Sequence, residues 1–148
     1  MGYHVRRQIR DAFVTALTGL ATTGSRVFPS RVYPLEAADL PGLTVKTEGE
    51  TVTPATIGAP RIFARTLRVI VTAYARAAAD VDDVLDQICL EVEQALSMPN
   101  ASVTMAKTIS LITTDLEIAG TAEKPTGQAA IAFEVLYMTA ESAPDVAY

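Results

Sequence analysis

The segment Arg61–Ala77 constrains this chain most. Phe63, Leu67, Val69, Val71, Ala73 and Ala75 alternate onto one side. Ile62, Ala64, Ile70 and Tyr74 fall on the other, with Thr66, Arg68, Thr72 and Arg76. A strand that is apolar on both faces needs neighbours on both, so it reads as the centre of a sheet. Its β-branched residues and Tyr74 favour extended backbone. The rest of the chain must then supply flanking strands and a layer that covers one face.

Two amphipathic helices supply that layer. From Tyr3 to Leu20, Val5, Ile9, Phe13, Ala16, Leu17 and Leu20 recur at spacings of three and four, and Gly19 and Gly24 bracket the end. Val14 falls on the polar side. Asp80 is the predicted cap of a second helix reaching about Ser97, with Val81, Val84, Leu85, Ile88, Cys89, Val92 and Leu96 as its apolar arc. Its early carboxylates suit the positive end of the helix dipole.

The remaining strands are read from shorter signals. Val27, Phe28, Val32 and Tyr33 look extended, but Pro29 and Pro34 demote this stretch to an edge. Leu43–Thr47 alternates as a second short strand. Glu48–Pro60, with Gly49, Pro54, Gly58 and Pro60 among threonines and glutamates, reads as a long polar loop, and loops of about 12 residues are often functional. Thr108–Ala119 and Gln128–Thr139 read as a closing hairpin around Gly120, Pro125 and Gly127. The predicted order is α-β-β-β-α-β-β. The fold class is α+β, a mainly antiparallel sheet with both helices on one face, in one domain spanning residues 1–148.

Composition removes most chemistry. The 148 residues carry 12 Lys and Arg against 17 Asp and Glu, a net charge of −5, which argues against a binder that neutralises phosphates. One cysteine forbids an internal disulfide, and one histidine leaves few routes to a metal site or a triad. Asp80, Asp82, Asp83 and Asp86 lack the glycine and distal glutamate of a calcium loop, and they sit on helical spacing. Cys89 lies on an apolar arc near Glu91 and Glu93, a poor setting for a nucleophile. No glycine-rich phosphate loop occurs, and His4 has no partner motif. No cofactor, metal or catalytic residue is expected. The N-terminus MGYHVRRQIRD lacks the apolar stretch of a signal peptide, and no apolar run is long enough to cross a membrane as a helix.

What the sequence does offer is surface for assembly. The mean hydropathy of +0.25 is high for a small soluble domain. Leu90 sits opposite the apolar arc of its helix, among Asp83, Gln87 and Gln94, and Val14 holds a similar place on the first helix. Arg61 and Arg65 alternate onto one face of the long strand, and Arg68 and Arg76 onto the other. The candidate subunit interface pairs Arg6, Arg7 and Arg10 of the first helix with Asp82, Asp86, Glu93 and Leu90 of the second, across a boundary between copies. The plain alternative is that both charged faces are solvated. Glu48, Gly49, Pro54, Gly58 and Pro60 mark the candidate loop that assembly would order.

In order along the chain, VRRQIRDAFVTAL, SRVFPSRVYPLEAADLPGLTVKTEGE, TLRVIVTAYARA, DVDDVLDQICLEVEQAL and TTDLEIAGTAEKPTGQAAIAFEVLY resemble the tail terminator proteins of long-tailed phages, the minor tail protein U type. The match covers nearly all of the chain and is one of pattern and order. The resemblance implies a virion protein at the head-proximal end of the tail, assembled in the host cytoplasm. Such subunits form a hexameric ring that caps the tail tube, stops its polymerisation and presents a face to the head-neck connector. The implied partners are other copies of the chain, the major tail tube protein and the connector, with DNA only passing through the ring. Net negative charge suits such a channel, because it repels phosphate. A neck or tail-completion connector and a non-viral small-molecule binding module are the alternatives.

Overall fold

The computed structural model describes residues 2–29, 35–77, 80–97, 103–119 and 126–148. At its centre lie β3 (Ile62–Arg76) and β5 (Thr126–Ala140), paired antiparallel without interruption from Ile62↔Ala140 to Arg76↔Thr126. On β3, Leu67, Val69, Val71, Ala73 and Ala75 are fully buried on one face, and Ile70 and Thr72 are buried on the other. The central placement expected of this segment holds.

β2 (Gly42–Pro54) flanks β3, and β4 (Thr108–Ala119) flanks β5, both antiparallel. The three-residue β1 (Val27–Pro29) lies parallel to the start of β2, and β6 (Ala143–Ala147) joins β5 beyond the end of β4. The sheet order is β1-β2-β3-β5-β4. The expected order α-β-β-β-α-β-β stands, and β6 is added to it. Val32, Tyr33, Pro34, Met98–Asn100, Gly120 and Pro125 lie outside the described residues.

Both helices cover the same face of the sheet. α1 (Val5–Leu17) buries Val5, Ile9, Phe13 and Leu17 completely, one per turn, and Phe13 meets Phe133 of β5 edge-on at 6.1 Å. Each such side chain contributes about 1.5–3 kcal/mol. α2 (Val81–Leu96) buries Val81, Leu85, Ile88, Cys89, Val92 and Leu96. It sits so close to β5 that a Cβ built on Gly127 would lie 2.8 Å from Leu85 Cδ1 and 2.9 Å from Val81 Cγ2.

Two local expectations are corrected. Val14 is not an outer-face residue, because it is half-buried against the core. The long loop is also not one: Glu48, Gly49 and Pro54 belong to β2, and only the stretch holding Gly58 and Pro60 forms the turn. β2 runs past the core because the far end of β3 supplies hydrogen-bonding partners, from Gly49↔Arg68 to Pro54↔Phe63. Apolar alternation is not needed there, since residues 51–60 are exposed. A bulge between Thr47 and Gly49 sets Glu48 out of register. It thereby aligns Glu50 with Leu67, on the face that carries the helices.

Candidate functional site

The bulge places a carboxylate beneath the start of α1. Glu50 accepts from Arg65 Nη1 at 3.0 Å and from Arg6 Nη1 at 2.8 Å, and the Tyr137 hydroxyl donates to its other oxygen. Arg65 Nε donates to Thr139 Oγ1 at 2.9 Å. The side chains of Glu50 and Arg65 are only 5% and 10% exposed. Burial, and then the bond to Glu50, push the Tyr137 hydroxyl pKa up, so the phenol keeps its proton. A cleft of about 380 Å3 opens beside the cluster, lined by Arg6, Thr47, Glu50, Arg65 and Leu67. Its charged groups already satisfy one another, which makes the cluster a clamp between the arm β2–β3, β5 and α1. Sequence reading placed Arg6 on the outer side of α1. The structure pairs it with Glu50 while its side chain stays 43% exposed.

His4 is the N-cap of α1. Its Nδ1 accepts from the Arg6 backbone N–H at 3.1 Å. Burial, then the positive charges of Arg6 and Arg65, lower its pKa, and Glu50 and Asp145 oppose them. Cys89 is buried, and burial followed by Glu93 and Asp86 pushes its thiol up to about 11. Among the described residues, no cluster of His, Cys, Asp and Glu could hold a metal ion. None of the described helices is long and apolar enough to cross a membrane.

The proposed interface residues divide between two ends of the molecule. On α2, Glu91 faces the loop that follows α1. It accepts from the Thr22 backbone N–H at 2.9 Å and from Thr22 Oγ1 at 2.7 Å. Burial works against this charge, but the bonds from Thr22 and Gln87 outweigh it and hold Glu91 below the usual carboxylate range. Asp82, Asp86 and Glu93 occupy the opposite flank of the same helix, all exposed, and no ion pair among the described residues reaches them. Leu90 is 48% exposed on the outermost face. Arg7 stacks on Tyr3 at 3.5 Å and lies 3.8 Å from Asp11. Arg10 is half-buried, and its Nε is shielded from solvent without a hydrogen-bond partner.

Sequence reading placed β4 but did not single out its apolar side chains as an exposed surface. This edge strand exposes Leu111, Ile112, Leu116 and Ile118. Leu111, Leu116 and Ile118 pair with Phe133, Ala129 and Gly127, so they lie on the helix side of the sheet. α2 packs on β3 and β5 and stops short of them. The available signal was two apolar alternations broken by Thr113-Thr114, but alternation shows that a face is apolar and not whether a helix covers it.

No family model matches this sequence, and no curated protein matches it. Among solved structures, the chain is similar to one from the "Virion of native gene transfer agent (GTA) particle", at 18% identity over 90% of this chain and 92% of that chain, with a TM-score of 0.45. That is a distant likeness.

Proposed function

We propose that this chain is a virion structural protein that works as an assembled ring. In the finer reading, the ring is the terminator that caps a phage tail tube and offers its outer face to the head-neck connector. The observation that carries the assembly reading is β4, an edge strand of 12 residues with four large apolar side chains 41% to 57% exposed. Long apolar edges are a liability in a monomer and are normally charged, bulged away or covered. β4 carries Asp115 and Glu117 and one bulge at Ile112, which is sparse protection for its length. A permanent partner is the simplest cover.

The other supports are the resemblance in pattern and order along the sequence and the self-satisfied polar cluster at Glu50, which leaves no unpaired group there to act on a substrate. The protein is read as non-enzymatic. Its partners are copies of itself, the tail tube protein and the connector, at the head-proximal end of the tail, with DNA passing through the lumen. The test is the mass of the purified protein in solution, followed by negative-stain imaging. Six-fold rings that stop the growth of tail tube in vitro are the expected result. A monomer at all concentrations that leaves tube length unchanged would overturn the reading.

A further inference from the structure

The two helices divide the molecule into two unlike lateral ends. Glu91 ties one flank of α2 to Thr22, in the loop after α1, so the flank carrying Asp82, Asp86 and Glu93 turns toward β4. Glu93 and Leu96 share a cleft of about 310 Å3 with Ile109 and Leu111 of β4. On α1, Gln8 bonds the Asp145 carbonyl of β6 at 2.8 Å. The other flank, with Arg6, Arg10 and Val14, therefore lies over β2, where Arg6 reaches Glu50. One end thus combines free carboxylates with an uncovered apolar strip. The other carries Arg10, half-buried and without an ion pair among the described residues, above a sheet edge that β1 covers for only three residues.

We propose that these ends are the two halves of one head-to-tail contact: the α2/β4 end of one copy seats on the α1/β2 end of the next, with Arg10 set against Asp86 and Glu93 while Leu111, Leu116 and Ile118 are covered. The occupant is a second copy of this chain, and the argument is charge complementarity between two ends that face opposite ways. Two different patches that complement each other make a heterologous contact, which closes into a ring or runs on as a filament. This inference rests on the ring reading and assigns it a surface. It also narrows the sequence-level pairing, because Arg6 is engaged by Glu50 and Arg7 by Tyr3 and Asp11, which leaves Arg10 as the α1 cation without an ion pair among the described residues.

The test is a charge-reversal cycle read by analytical ultracentrifugation across a range of protein concentrations. Arg10→Glu and Asp86→Arg are each expected to weaken self-association tenfold or more. The double variant should recover it, because the swapped charges meet again. An equimolar mixture of the two single variants should also recover assembly, since native and swapped charge pairs alternate between unlike copies. Leu116→Ser should weaken association in every background. If Arg10→Glu fails to fold, Glu93→Arg with Leu116→Ser tests the acidic end alone. Wild-type-like assembly of all the variants would overturn this surface and leave the ring reading standing, and so would losses that the double variant does not repair. A wild-type protein that stays monomeric would overturn both.

Discussion

Glu50 shows how much one side chain can organise when three partners converge on it. Arg65 and Glu50 are nearly sealed from water, so removing one leaves the other buried and uncompensated. Glu50→Ala is expected to cost about 3–5 kcal/mol, a fall in melting temperature on the order of 10 °C for a chain of this size. Glu50→Gln should cost less, because it keeps the shape and loses only the charge. An Ala variant that melts with wild type in calorimetry would show that the cluster is idle. His4 gives a second test. Its folded pKa lies below the ordinary 6.5, so the fold prefers the neutral ring. The stability this contributes is fully present above pH 6.5 and is lost as pH falls through the lowered folded value. Burial, then the positive charges of Arg6 and Arg65, set the sign, and a protonated Nδ1 also cannot accept from the Arg6 N–H. His4→Asn, which caps without titrating, should flatten the part of the stability profile just below pH 6.5; an unchanged profile would assign the slope to carboxylates. Neither role was legible in the sequence. Glu50 sits in the polar run TEGETVTP, and only the bulge before Gly49 aims it inward.

At the scale of elements, legibility followed burial. Both helices and β3 were readable because each carries a full apolar period, one face of which is buried. The outer half of β2 was not, because cross-strand hydrogen bonds hold it and leave no mark on side-chain polarity. Hydrogen exchange will separate the two descriptions of this stretch. Amides of residues 49–53 that bond to β3 should exchange slowly, and those of 56–61 quickly. Uniformly fast exchange from Glu48 to Pro60 would restore the loop. The α2–β5 contact supports a different experiment. A methyl group at Gly127 has no room beneath Leu85 and Val81, so Gly127→Ala should destabilise by about 1–3 kcal/mol through overpacking. Equilibrium urea unfolding measures this, and a neutral result would mean that α2 rides higher on the sheet. That closeness was also hidden, because a glycine next to a strand reads first as a turn.

For the whole molecule, the composition points to assembly, and the proposed contact assigns it two surfaces. An exposed ion pair contributes only ~0–1 kcal/mol, so charge should steer the proposed contact while the β4 strip holds it. Raising salt from about 0.05 to 1 M shortens screening from roughly 13 to 3 Å and should slow association far more than it speeds dissociation. Stopped-flow light scattering can read both rates, and salt-independent association would argue against steering. The central pairing also has a consequence for how the chain is made. Every partner of β3 in β5 is synthesised long after it: Ile62 waits for Ala140 and Arg76 for Thr126. While the chain is still emerging, α2 lacks β5 and Val69 and Val71 have only half a sheet beside them. Pairings this distant along the chain close slowly and leave apolar strand exposed meanwhile. A nascent chain stopped at Ala119 should therefore bind chaperones and resist release in soluble form, and adding the segment from Thr126 to Ala140 should free it, which makes the closing of β5 onto β3 the step that commits the subunit to its fold.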